Sequence, residues 1–300
     1  MSARKKAILA LIIANIIWGG ASPIFKWGLT NIAPFTLAFI RFAGAAIIIL
    51  PFTYKKIFNI NKQYINKIIL FGFLGVTLNI SFFFAGLKLS PSINASIIAA
   101  TEPLILLLIG AFLLKENVER HEIVGTLISL FGVFTIILLP ILSNGLSGEL
   151  MALGNFFFII AALGAVGQAF FGKQLFKYND TLPITFWSFL IGAVSFLPVF
   201  IIELIDNPLW YQHLDKPGLT AIFYGIFFSS ALAYFLYDWG LSKIEASETG
   251  IFTYIMPITA LLIAVPFFGE KITWQFILGT LFIVTGIIIA QIHLHKKPSF

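Results

Sequence analysis

Two ionisable side chains, Arg41 and Glu102, stand inside long apolar runs, and they are the residues of this chain best placed to do chemistry. A charge near the centre of a bilayer costs at least about 2.5–3.5 kcal/mol unless it is paired or meets a watery cavity, so such groups lean towards function. Glu102 reads as a site for a proton or a substrate amine. Arg41 then serves as its counter-charge or as a clamp for a substrate carboxylate. A fixed ion pair that locks two helices is the alternative. At 1.5 Å per helical residue both lie roughly 12–15 Å below the same membrane face, within reach of each other.

Polar and aromatic residues in the middle of apolar runs form a second group: Asn15, Trp18, Asn79, Phe83, Gln168, Tyr234, Tyr237 and Tyr254. A ring of amides and hydroxyls among aromatics suits small amphipathic solutes such as amino acids or drug-like aromatics. Taken singly, each Tyr or Trp reads as packing, with its polar tip bonded to a neighbouring helix. Pro103 and Pro257 fall inside apolar helices, where a missing N–H and a clash with the preceding turn predict kinks, static ones in preference to hinges. Asp238 and Glu248 fall near the cytoplasmic ends of their helices, where solvation is expected.

Other chemistries find no support. Gly167 to Lys173 nearly matches a phosphate-binding loop, but Gln174 stands where a Ser or Thr must hold Mg²⁺, and no strand precedes it. His121, His213, His293 and His295 all fall in loops or the tail, so neither a metal site nor a histidine base within the membrane is expected. Cysteine is absent, which removes disulfides, thiolate nucleophiles and iron–sulfur clusters together. With no ATP-binding motif, zinc helix or nucleophile elbow, the expectation is neither an enzyme nor an ATP-driven pump, and no cofactor. The net charge of +6 is scattered between apolar segments and forms no stripe for nucleic acid.

The elements that hold these residues are helices in lipid. Hydrophobic residues make up 59% of the 300 positions and charged residues 11%, with mean hydropathy +0.98, values that no water-soluble domain carries on its surface. Backbone polar groups in hydrocarbon must be satisfied internally, and long apolar runs choose helices over a closed barrel. The runs predict ten spans near 7–25, 33–53, 68–87, 92–114 and 123–140, then 149–172, 182–204, 218–240, 246–267 and 273–292. With the N-terminus inside, cytoplasmic segments hold fourteen Lys and Arg and outside loops four, so both termini are expected in the cytoplasm of a plasma-membrane protein. Arg4-Lys5-Lys6 and the apolar run ending at Gly20-Ala21-Ser22 also fit a secretory leader. Its cleavage would delete a helix that the remaining design needs.

That design is a duplication. Pro103, Glu116, Gly125 and Gly132 recur as Pro257, Glu270, Gly279 and Gly286, each 154 residues later, and Gly86-Leu87 recurs as Gly240-Leu241. The expected fold is all-α: a polytopic membrane protein of two five-helix repeats, 1–144 and 145–300. Five is odd, so the second copy enters the bilayer upside down, as in secondary carriers. Gly125 and Gly132, like their twins, share a helix face after two turns and read as close-packing positions. Ser92, Ser96 and Ala100 read the same way on the fourth span.

These repeated Pro–Glu–Gly–Gly helices, with Pro34 to Arg41 in the second span, resemble the EamA-type transporters of the drug/metabolite transporter superfamily over nearly the whole chain. The resemblance implies a ten-helix carrier of small metabolites, often an exporter. It also implies a central cavity lined by the first, third, fourth, sixth, eighth and ninth helices, on which all eight polar and aromatic candidates fall. The copies differ where chemistry is expected: Leu190 stands opposite Arg41 and Met256 opposite Glu102, which confines both charges to the first half. The expectation is therefore an alternating-access secondary transporter in the lipid bilayer, exporting small molecules such as amino acids, with protons as a coupling option. Its rivals are a non-transporting receptor or assembly subunit with a filled core, and a carrier of lipid-linked or nucleotide-sugar substrates with a strongly basic cavity. Monomer and homodimer both remain open.

Overall fold

A computed structural model describes residues 2–113, 119–244 and 249–291. Lys115, Glu116, Glu248, His293 and His295 lie outside the described residues. Among those described, nine helices are long and apolar enough to cross a membrane: Ala3–Gly28, Pro34–Thr53, Lys62–Leu89, Ser92–Ile109, Arg120–Ser143, Gly145–Leu175, Thr181–Asp206, Lys216–Lys243 and Ile251–Phe268. A tenth apolar helix, Trp274–Ala290, is shorter. They are numbered here in chain order as the first to tenth helices. The chain turns from the fifth to the sixth at Gly145, whose φ of 54° suits a residue without Cβ.

The repeated glycines meet each other. A side chain on Gly125 would overlap the backbone of Gly286, and one on Gly132 would overlap Gly279 and Ile283, so the fifth and tenth helices cross backbone to backbone. At the centre of this crossing Ser129 Oγ donates to the Ile283 carbonyl at 3.0 Å, and position 283 is position 129 shifted by the same 154 residues. Small residues work similarly on the fourth helix, where fully buried Ser96 bonds Ser22 of the first at 3.3 Å.

Helix ends are closed by side chains from other helices. Lys26 Nζ donates to the Leu87 and Ser90 carbonyls at the end of the third helix, and Lys173 Nζ donates to Leu241 and Ile244 at the end of the eighth. Each end carbonyl thus finds a cation, as the helix dipole favours. At amino ends the partners are carboxylates. Glu270 accepts from the Ser92 and Ile93 N–H groups at 2.9 and 3.2 Å, while Glu203 accepts from Phe35 N–H, Thr36 N–H and Thr36 Oγ1. Glu270, one of the repeated residues, therefore caps the fourth helix's amino end.

The two prolines do something other than kink a continuous helix. The fourth helix breaks into Ser92–Ala99 and Glu102–Leu113, and Pro103 sits in the first turn of the second piece. Pro257 likewise sits in the first turn of Ile255–Phe268, which follows a 3₁₀ turn at Ile251–Tyr254. In a first turn the absent N–H has no acceptor to lose, so proline starts a segment there without breaking one.

Packing at the glycine crossing yields the first prediction. Gly132→Leu forces the fifth and tenth helices apart and lowers stability by at least about 1–3 kcal/mol. Thermal unfolding of the purified protein in detergent would show it, and an unchanged Tm would contradict the crossing.

Candidate functional site

Two π-helical stretches shape the middle of the molecule. The third helix widens at Phe73–Leu78 and the eighth at Tyr224–Leu232, ending at equivalent positions of the repeat. The N–H of Asn79 reaches back five residues to Leu74, and that of Ala233 reaches back to Phe228. The carbonyls of Gly75 and Ser229, again 154 residues apart, thereby lose their usual donors. In an apolar medium they must find others. Tyr234 Oη donates to Gly75 O at 3.2 Å; Trp18 Nε1 and Arg41 Nη2 donate to Ser229 O at 3.0 and 3.3 Å.

Arg41 is held almost wholly inside the protein, 2% exposed. Its Nε donates to Ser230 Oγ at 2.6 Å and its Nη2 to Ser229 Oγ at 2.9 Å, while its guanidinium carbon lies 4.8 Å from the Phe25 ring centre and 4.6 Å from that of Phe42. Serine oxygens and aromatic faces together replace the water that the cation has left. Among the described residues Nη1 alone has no hydrogen-bond partner.

A cavity with about 830 Å³ of empty space, its mouth included, lies beside this arginine. Six of the eight polar and aromatic candidates line it: Trp18, Asn79, Phe83, Gln168, Tyr234 and Tyr237. Trp18 packs against both tyrosines, with ring centres 5.2 Å from Tyr234 and 5.0 Å from Tyr237. Arg41 and Glu102 line it too, yet no ion pair between them occurs among the described residues; the serines of the eighth helix take the place expected for Glu102. The Glu102 carboxylate opens onto the cavity from the first residue of the Glu102–Leu113 segment, with its twin Met256 across the same space.

Two candidates lie elsewhere. Asn15 is fully buried and turns its amide back to Leu11 O at 2.8 Å, one turn earlier on its own helix. Tyr254 sits in the 3₁₀ turn and packs on the cluster around Ile93 and Ile97. Conversely, Ser22, Phe25, Phe158, Ser229, Thr253 and Met256 line the cavity and are not among the cavity candidates of the sequence. Met256 was the most legible of these, because the repeat sets it opposite Glu102. Asp238 departs from expectation as well: it is fully buried, not solvated, and its Oδ2 accepts from Thr185 Oγ1 at 2.6 Å. Buried ionisable groups are thus not confined to the first half.

Apolar helices around an aromatic and polar cavity define a multi-pass membrane protein with an internal site. The chain belongs to the EamA-like transporter family, whose model matches it twice, at residues 5–138 and 152–291. It is 27% identical to the uncharacterized transporter YoaV of Bacillus subtilis (strain 168), over 94% of this chain and 95% of that one. It is 25% identical to a probable amino-acid metabolite efflux pump of Escherichia coli (strain K12), over 95% and 94%. A crystal structure 18% identical superposes with a TM-score of 0.65 over 98% of this chain and all of the other, a likeness of fold. The family and these relatives indicate a transporter and not an enzyme.

The serine pair yields the second prediction. Ser230→Ala removes the acceptor of Arg41 Nε at a buried position and costs about 1–3 kcal/mol. The midpoint of thermal unfolding in detergent falls accordingly if the hydroxyl holds the arginine, and stays in place if water replaces it.

Proposed function

We propose that this protein is a secondary transporter that exports amino acids or related small metabolites by alternating access, with ten spans, both termini in the cytoplasm, and inverted repeats at 1–144 and 145–300. The observation that carries the cargo reading is the charge arrangement of the cavity. It presents one carboxylate, Glu102, without a salt bridge among the described residues, and one buried guanidinium whose Nη1 is unused, among aromatic walls. A zwitterion with an apolar side chain complements that set: its ammonium faces Glu102, its carboxylate faces Arg41 Nη1, and its body lies against Trp18, Tyr234 and Tyr237. The name of the Escherichia coli relative points to the same cargo class.

Inversion is supported by the glycine crossing. Gly125 meets the twin of Gly132, Gly132 meets the twin of Gly125, and Ser129 meets its own twin, as a two-fold axis between antiparallel helices requires. The open cavity counts against a receptor with a filled core. Lipid-linked or nucleotide-sugar cargo would call for several cations, whereas Arg41 is the one basic side chain among the described residues lining the cavity; Lys26 and Lys173 are engaged at helix ends.

Proteoliposomes offered a panel of radiolabelled amino acids, with and without a pH gradient, test the reading. Glu102→Gln is expected to abolish pH-dependent transport while the protein still inserts. Arg41→Lys, which loses the fixed fork of donors, weakens cargo affinity roughly tenfold or more. Unchanged coupling in the first variant, or no flux of any amino acid through the unaltered protein, would falsify the proposal.

A further inference from the structure

The two lysines at helix ends repeat a single arrangement. Lys26 and Lys173 stand near the ends of the first and sixth helices, which open the two halves, eight residues before Pro34 and ten before its match Pro183. Lys26 Nζ donates to Leu87 O at 3.0 Å and to Ser90 O, and Lys173 Nζ donates to Leu241 O at 3.2 Å and to Ile244 O. Leu241 and Ile244 are positions 87 and 90 shifted by 154 residues, so the register of the glycine crossing governs both contacts. Capping alone does not call for this match. Lys88 and Lys243 already stand in the last turns of the third and eighth helices, where a cation of the helix itself can serve, yet a lysine from another helix takes the end carbonyls in both copies.

Both contacts stand just past the cavity. Phe25 and Phe83 line it on the first and third helices; Lys26 follows the one directly and Leu87 follows the other by one turn. Gln168 and Tyr237 line it on the sixth and eighth, and Lys173 and Leu241 follow them by five and four residues. Helices that alternate in direction put the first contact at one membrane face and the second at the other. The turn at 89–91 is gripped from further sides too: Glu270 takes the Ser92 and Ile93 N–H groups, and Asn155 Oδ1 of the sixth helix accepts from Ser90 Oγ and Asn94 Nδ2 at 2.5 and 3.0 Å. Lysine suits a joint that must come apart. Its ammonium is strongly hydrated on a flexible stem, and end carbonyls accept from water, so once a face opens both partners find replacements.

We propose that Lys26 and Lys173 are the paired gate residues of this carrier. Lys26 latches the cavity shut towards the outside and Lys173 towards the cytoplasm, and each releases its carbonyls when the cavity opens on its own side. The inference rests on the transporter reading above, which supplies the two sides. Both latches are made in this structure, so opening either way begins with the loss of one grip while the other holds. Each latch joins two helices that line the cavity from a point beyond its wall, and so acts on access for cargo without touching it.

The chain has no cysteine, so Ala99→Cys, at a position lining the cavity, reports access without background. An impermeant maleimide added to right-side-out or inside-out vesicles of the full chain measures the labelling rate from each side. Lys26→Met keeps the stem and removes the donors; it is expected to raise labelling from outside about tenfold and to slow it from the cytoplasmic side, as loss of bonds to a charged group shifts a two-state balance. Lys173→Met is expected to do the reverse. Lys26→Gln and Lys173→Gln keep a neutral donor, give smaller changes of the same sign, and cover the case in which a Met variant does not fold. A cap with no gating role predicts a lower Tm and an unchanged ratio of the two rates. The proposal fails if that ratio stays as it is in the variants of either lysine, or moves in the same direction for both. Amino-acid flux through the unaltered protein is measured alongside. Opposite shifts in labelling without flux keep the gates and overturn the cargo reading, whereas flux without opposite shifts keeps the cargo and overturns the gates.

Discussion

A polar group inside hydrocarbon must find a partner within the protein, and this constraint organises the molecule from its helix ends to its centre. At the ends, Lys26 and Lys173 take terminal carbonyls, while Glu203 and Glu270 take terminal N–H groups. At the centre, two π-helical stretches release the carbonyls of Gly75 and Ser229, and the donors that claim them, Tyr234, Trp18 and Arg41, all line the cavity. The same bonds that satisfy the backbone therefore orient the side chains of the site. Arg41 shows the exchange most plainly: a cation too costly to leave alone in lipid is held by two serine hydroxyls, a freed carbonyl and two aromatic faces.

Backbone and chemistry follow the duplication differently. Gly75 and Ser229 are twins, yet the residues matching their donor Tyr234 and holder Arg41 are Ile80 and Leu190, which can donate nothing. Phe84 and Asp238 are twins, as are Met256 and Glu102. Backbone geometry tolerates doubling because helix crossings depend on small residues at fixed spacing, as in the meeting of Gly125 with Gly286 and Gly132 with Gly279. A polar site does not, because two copies of each charge would repel across one cavity.

Much of this is legible in the sequence. Helix positions followed from apolar runs, since a span in lipid declares itself by length and composition alone. Six of eight polar and aromatic candidates line the cavity because a polar group in mid-span has few other places to go. Asn15 escaped by bonding its own helix, an option open to any amide one turn from a carbonyl. Asp238 was misread because distance from a helix end measures depth in the membrane and says nothing of which side faces another helix. Prolines 103 and 257 signalled irregular backbone correctly in place, but a kink and a fresh helix start leave the same residue in the sequence.

By itself the sequence determined a doubled, helical, lipid-solvated body and marked Arg41 and Glu102 as its costly charges, because composition, periodicity and spacing are properties of the chain alone. Tertiary structure alone decided that Arg41 belongs to the serines of the eighth helix and not to Glu102, that Glu270 closes the fourth helix, and that Asp238 is sealed from water. Each of these depends on which helix faces which, a choice made by close packing between segments that are far apart in the chain.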